Sequence, residues 1–246
     1  MNRNESFGSA QVNTLVVHLA WASLEMMVDD VSDLQVMVSG DDNDVSDLKI
    51  SCADGRLLVE QPTYGLTIKL NTDRWMQLFL RIPREWKGAV EASTISGLLT
   101  VRGLTGTDLS LETVSADLRA SGLSGITLAL KSATGDIQAA SVAAEKLGIR
   151  TVSGSVCLQG AQARQVKLTS VSGENDLVFT DPFDRLDGNT VSGGIRVYAP
   201  MDVADVTLSA LSGRLRTSNV SLKENAPVIR VSSVSGDLEI NNNQQN

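Results

Sequence analysis

The sequence predicts an all-β chain wound into a β-solenoid, and three observations carry that prediction. A motif of the form Thr-Val-Ser-Gly recurs between Val90 and Ile240, with its last residue at Gly97, Ala116, Gly135, Gly154, Gly173, Gly193, Gly213 and Gly236. The steps are 19, 19, 19, 19, 20, 20 and 23 residues, and a fixed period near 20 marks stacked repeats. Around each motif the apolar residues alternate. Val90, Leu109, Leu128, Leu147, Val166, Leu186, Val206 and Ile229 stand seven before the marker, and Leu99, Leu118, Ile137, Val156, Asn175, Ile195, Leu215 and Leu238 two after it. Such period-2 alternation belongs to strands with one buried face. Aromatic residues make up 4% of the chain and none falls between Lys87 and Val178, which suits a narrow aliphatic core. One coil cannot enclose a core alone; about eight regular coils of 19–20 residues, stacked at roughly 4.8 Å, make a rod about 34 Å long.

Taken in order, residues 1–10 are polar and expected to fray. Alternating segments follow at Leu15–Leu19, Leu34–Val38, Leu48–Ser51, Leu57–Val59, Leu66–Leu70 and Met76–Ile82, with turn signals between them. They carry the strand pattern without the repeat, so residues 1–88 read as irregular β coils that cap one end, continuous with a regular solenoid over 89–240 and a polar tail over 241–246. Asp41, Asp42, Asp44 and Asp47 lack the spacing of a calcium loop and read as a solvated hairpin tip. His18, the single histidine, has no Cys or second His for a metal site. Pro83 cannot donate to a central ladder and marks a junction; Trp86 beside it is either an exposed platform or a plug over the first coil, the plug being favoured for so large a side chain.

Within the coils the Gly of each motif suggests a corner at positive φ; Ala116 there would cost about 1 kcal/mol, so the slot need not be left-handed in every coil. Small residues such as Gly103-Leu104-Thr105-Gly106 and Gly122-Leu123-Ser124-Gly125 mark a second corner. Whether the Val of the motif points in or out is open: alternation sends it out, and its near-uniform apolarity argues for burial. Asp117 and Asp136 share a column and read as corner residues bonding nearby backbone. The repeat is least regular from Gly173 to Gly188, where Asn175 takes an apolar slot and Glu174, Asp176, Asp181, Asp184 and Asp187 gather five carboxylates. Asp176, Asp181, Asp184 and Asp187 are the candidate ligand or cation surface, against the plainer reading of a solvated loop with Phe183 packed inward. The insertion Ser221–Pro227 and the short polar tail leave the C-terminal end covered either by Leu222 or by another chain.

Residues 1–60 hold 11 acidic and 3 basic residues, and residues 61–246 hold 18 of each. With no basic stripe along the sequence, nucleic-acid binding is not expected. Cys52 and Cys157 make neither a disulfide framework nor a metal set, and no catalytic triad, Cys-His pair or phosphate loop is legible. No cofactor is expected, and no catalytic or metal residues are assigned. No stretch reaches the roughly 18 apolar residues of a membrane span, and Leu15–Ala22 lacks a basic leader. The default compartment is cytoplasmic, with surface association left open.

The repeated Val-Ser-Gly-x-apolar-x-apolar, the Ile82-Pro83 junction before Thr94-Ile95-Ser96-Gly97, and the closing Ser235-Gly236-Asp237-Leu238-Glu239-Ile240 resemble a bacterial putative-adhesin family of unknown function, from about Leu34 onward. The resemblance implies a right-handed β-solenoid, brings no catalytic residues, and implies for some relatives a link to cell-envelope stress. Together these readings predict a non-enzymatic structural or protein-interaction module that meets a protein partner or copies of itself. A polysaccharide-binding or polysaccharide-active β-helix is the alternative, which a glycan bound at the acidic loop would favour.

Overall fold

The computed structural model describes residues 1–62 and 74–242, so the expected strand over Leu66–Leu70 and most of the polar tail lie outside it. The chain is all-β. Among the described residues the helical pieces are a 3-10 turn at Ser9–Gln11 and α1 (Asp42–Asp47). Ahead of the repeats come β1 (Asn2–Phe7), β2 (Thr14–Leu19), β3 (Ser23–Asp29), β4 (Leu34–Gly40), β5 (Lys49–Ala53), β6 (Arg56–Glu60) and β7 (Met76–Pro83). The repeats supply β8 (Ala89–Thr94), β9 (Leu99–Arg102), β10 (Asp108–Thr113), β11 (Leu118–Ser132), β12 (Ile137–Arg150), β13 (Val156–Thr169), β14 (Asn175–Phe179), β15 (Arg185–Ser192) and β16 (Ile195–Ala199). Last come β17 (Val203–Ser212), β18 (Leu215–Ser218), β19 (Ser221–Leu222), β20 (Val228–Ser235) and β21 (Leu238–Asn242).

Parallel pairing at the repeat spacing organises the chain: Leu109 lies beside Leu128, Leu128 beside Leu147, and Leu147 beside Val166. Two stacks result. The first runs β5, β6, β2, β8, β10, the later halves of β11, β12 and β13, then β15, β20 and β17. The second runs β1, β4, β7, β3, β9, the earlier halves of β11 to β13, then β14, β16, β21 and β18. Alternate residues of both stacks are buried in one continuous aliphatic core, each large side chain contributing about 1.5–3 kcal/mol.

The motif is explained residue by residue. Its Thr is buried and its hydroxyl accepts the glycine N–H three residues on, at 3.0 Å for both Thr94 with Gly97 and Thr151 with Gly154. The second residue points outward, between 42% and 50% exposed at Ile95, Val114, Val152, Val171, Val191 and Val234, which settles its direction in favour of alternation. Its carbonyl accepts the hydroxyl of the next coil's Ser or Thr, as from Ser115 to Ile95 at 2.9 Å and from Thr134 to Val114 at 3.2 Å. The glycine is there for closeness rather than for φ: a Cβ at Gly135 would lie 1.9 Å from the Ala116 carbonyl oxygen, and one at Gly154 2.0 Å from that of Gly135. Among these markers positive φ occurs at Gly173 and Gly193 alone, so the slot is not left-handed in every coil, as Ala116 within it implied, and the reading of the marker glycines as positive-φ corners holds at these two only. The left-handed column belongs to the second corner, at Gly103, Gly122, Ser141 and Gly160, with φ of 70°, 63°, 53° and 65°.

At both ends spatial order departs from chain order. β2 and β3 are gripped between β6–β7 on one side and β8–β9 on the other. Likewise β20 and β21 sit between β15–β16 and β17–β18. Trp86 is buried near the first of these places, its Nε1 donating to the Val12 carbonyl at 2.6 Å.

Candidate interaction surface

The two ends of the stacks close differently, and the difference defines the surface. At one end the outermost strands are antiparallel, β1 on β4 and β4 on β7 in the second stack, β5 on β6 in the first. Beside them α1 buries Val45 and Asp44. The acidic turn is therefore a short helix rather than a solvated tip, and Asp44 is held by Arg74, whose Nε donates at 3.0 Å. Arg74 also lies over the Trp21 ring at 5.0 Å.

At the other end the outermost coil is β17–β18. The expectation that the coil ending at Ile240 forms this end is corrected: β21 is covered by β18, and Ile229, Leu238 and Ile240 are fully buried. The cause is composition. In the outer coil Thr217 stands in register with Ile240, and Val206, Leu208 and Leu215 are only partly buried, so the more apolar coil takes the inner seat. The insertion, expected to cover the end unless another chain does, reaches only the start of β17 among the described residues, at Val203 with Ser221, Ala204 with Leu222 and Asp205, whose amide donates to the Pro227 carbonyl at 2.9 Å. From Asp205 to Ser212 the described strands pair with β17 on one side alone. A parallel strand edge is thus presented together with Leu211, 87% exposed, and Leu222, 57% exposed. Such an edge is a template for another strand. At its corner a cavity of about 500 Å³ is lined by Gly193, Gly194, Gly213 and Gly236 with Arg196, Arg214 and Arg216.

The four sequence-selected aspartates are not brought together. Asp176 points outward from β14 and is paired with Arg196, which also reaches Glu174 at 3.2 Å. Asp187 points outward from β15, in the other stack, and takes two hydrogen bonds from Arg185, at 2.5 and 2.7 Å. Those bonds hold the Asp187 carboxyl below the usual carboxylate range, against a smaller upward push from burial. Between them, Asp184 accepts Arg164 at 3.0 Å and exposed Asp181 accepts the Thr180 hydroxyl at 3.4 Å. Among the described residues no three of His, Cys, Asp and Glu gather as metal ligands. Asn175 is buried, its Nδ2 donating to the carbonyls of Gly173 at 3.0 Å and Gly194 at 3.2 Å, so it ties adjacent coils where the repeat lengthens. Asp117 and Asp136 each accept the amide of the next coil, at 3.1 and 2.8 Å. Cys52 and Cys157 are free and exposed, and the His18 ring nitrogen Nδ1 lies 2.8 Å from the Ser93 hydroxyl. The sequence points to an unblocked C-terminal edge; that β17–β18 carries it, rather than the coil ending at Ile240, was missed because spacing does not say which coil lies outermost.

A family model described as Toastrack DUF4097 matches residues 12–240. Among solved structures, a "putative lipid binding protein" from Parabacteroides distasonis is similar at a TM-score of 0.62 and 14% identity, over 97% of this chain and 96% of that one. A "putative adhesin" from Parabacteroides merdae gives 0.51 and 14%, over 97% and 95%. One from Parabacteroides distasonis gives 0.50 and 13%, over 97% of each chain. At these identities the likeness is one of fold. No curated protein matches, and no described helix is long and apolar enough to cross a membrane.

Proposed function

The chain belongs to the Toastrack DUF4097 family, and from that premise we propose that it is a non-enzymatic, adhesin-like interaction module, a right-handed solenoid of about eight regular coils. In this reading residues 1–88 cap one end and 89–240 form the regular rod. Its binding element is the open strand edge of β17, which takes a strand of a second copy or of a protein partner. The observation that carries the reading is the unpaired side of Asp205–Ser212 beside exposed Leu211 and Leu222. Pairing there would satisfy backbone groups and cover the half-buried Val206, Leu208 and Leu215 at once. The glycan alternative loses its main support, since Asp176, Asp184 and Asp187 are each engaged by an arginine.

Light scattering after size exclusion, over a roughly hundredfold range of concentration, tests the reading. A mass that rises with concentration, and falls back to monomer in Leu211→Lys, supports pairing between copies. A strict monomer throughout removes self-association and leaves the edge to a foreign strand.

A further inference from the structure

The two faces of the rod carry their charge differently. On the outward side of the second stack, from β11 to β21, Arg119 and Arg196 are balanced by Asp176 and Glu239. On the first stack, the exposed positions of β11, β12, β13, β15 and β20 hold Lys131, Lys146, Arg150, Lys167, Arg185 and Arg230 against the carboxylates of Asp187 and, at the corner beside Lys146, Glu145. The chain as a whole has a formal charge of −8, so this patch stands against the field of the rest of the molecule.

At its centre is Gly148. Across the ladder its neighbours are Ala129 on one side and Lys167 on the other, while Lys146 and Arg150 stand two residues away on the same strand and the same face. Ladder neighbours are about 4.8 Å apart and same-face residues about 6.6 Å apart, so the long side chains of Lys146 and Lys167 can converge over one bare stretch of backbone, with Arg150 farther along the same face. A concavity of about 360 Å³ lies there, lined by Ala129, Lys146, Gly148 and Lys167 together with the paired Arg185 and Asp187, and Arg150 stands outside the lining. Two of the neighbouring acids are engaged, Asp187 by Arg185 and Glu112 by Lys131 at 3.3 Å, while exposed Glu145 stands beside Lys146 on the same strand. Lys146, Arg150 and Lys167 form no ion pair among the described residues.

The fold does not ask for glycine at this place. A Cβ on Gly148 would meet only the Leu128 carbonyl oxygen at 3.9 Å, an ordinary contact, whereas one at a motif glycine would fall about 2 Å from backbone oxygen. A glycine inside a strand costs about 0.5–1 kcal/mol, and one that packing does not require marks a close approach by a ligand or another backbone.

We propose that the Gly148 depression binds a phosphate group, with Lys146 and Lys167 supplying ammonium donors from its lining. Two ammonium groups in one small hollow, beside an Asp187 carboxylate already neutralised by Arg185, fit a compact, multiply charged oxyanion. The group arrives either on a soluble phosphate compound or on a lipid headgroup, and the chemistry of recognition is the same.

The test uses the full chain. Amide shifts are followed by NMR during titration with pyrophosphate, and co-sedimentation is measured with phosphatidylcholine vesicles with and without phosphatidic acid. Shifts confined to the strands around Gly148, without vesicle binding, assign a soluble source; vesicle binding that pyrophosphate competes away assigns the headgroup. Gly148→Val keeps every charge but fills the hollow, and binding should fall at least about tenfold with the melting temperature unchanged or raised. Should that variant fail to fold, Lys146→Gln with Lys167→Gln replaces it, with a loss of about a hundredfold expected. The proposal is overturned if neither probe binds below about 10 mM, or if a folded Gly148→Val or double-Gln variant binds as tightly as the parent.

Discussion

At the first end of the rod, antiparallel strands β1, β4 and β5 lie across the outermost parallel coil, and Leu34, Val36, Leu78 and Leu80 are fully buried beneath them. At the other end, β17 and β18 are themselves outermost, and Val206, Leu208 and Leu215 keep part of their surface in water. The coils are of one kind; what differs is whether anything lies beyond them. An end is finished by a change of strand direction and a small helix, not by a better coil.

This contrast can be broken most forcefully in the core. Leu80→Ala, under the closed end, should cost about 2–5 kcal/mol in denaturant unfolding. Leu215→Ala, at the open end, should cost under about 1 kcal/mol. Equal losses would show that the open end is covered in solution. The motif glycines sharpen the point. Gly135→Ala lies between stacked coils and should cost about 1–3 kcal/mol, while Gly213→Ala, whose coil is free to shift outward, should cost less than half as much. The reverse order would mean that β17–β18 is held from outside. Ser141→Gly works in the opposite sense: it removes an L-residue at φ 53° from the second corner and should stabilise by about 1 kcal/mol. No gain in thermal midpoint would place the corner in another conformation.

The smallest effect is electrostatic. Asp187 has its folded pKa depressed, chiefly by the Arg185 hydrogen bonds, so its contribution is present above the ordinary carboxylate value near pH 4 and is lost as pH falls through the lower folded value. Asp187→Asn should therefore flatten stability against pH below about 4. Because both partners are more than a third exposed, the change is small; an unaltered acid limb would mean that the pair opens in solution.

Much of the fold was legible in the sequence because each coil repeats the same local requirements. Thr, Val, Ser and Gly each answer to a different one: an inward hydroxyl, an outward side chain, a bond to the coil before, and room for its backbone. The role of glycine was misread because Gly serves both positive φ and close approach, and spacing alone does not separate the two. The interaction surface was less legible. All eight second positions are apolar, which argued for burial, yet they lie at a corner where alternation still rules. The basic face escaped a linear count because the cations and carboxylates of residues 61–246 cancel along the chain but not across it. The order of the last two coils escaped as well, since either β17 or β20 fits the seat on β15 by periodicity, and only Thr217 against Ile240 tells them apart.

That shared seat has a consequence for biosynthesis. A ribosome delivers β17 before β20, so the place beside β15 is vacant when the less apolar strand emerges. The chain must then leave that place unfilled, or fill it and later yield it to β20, moving outward by one interstrand spacing of about 4.8 Å. Either way the rod is not completed in the order in which it is translated. In the second case the final step is an insertion between two neighbours; in the first, a polypeptide released before Val228 would offer the β15 edge to any strand nearby.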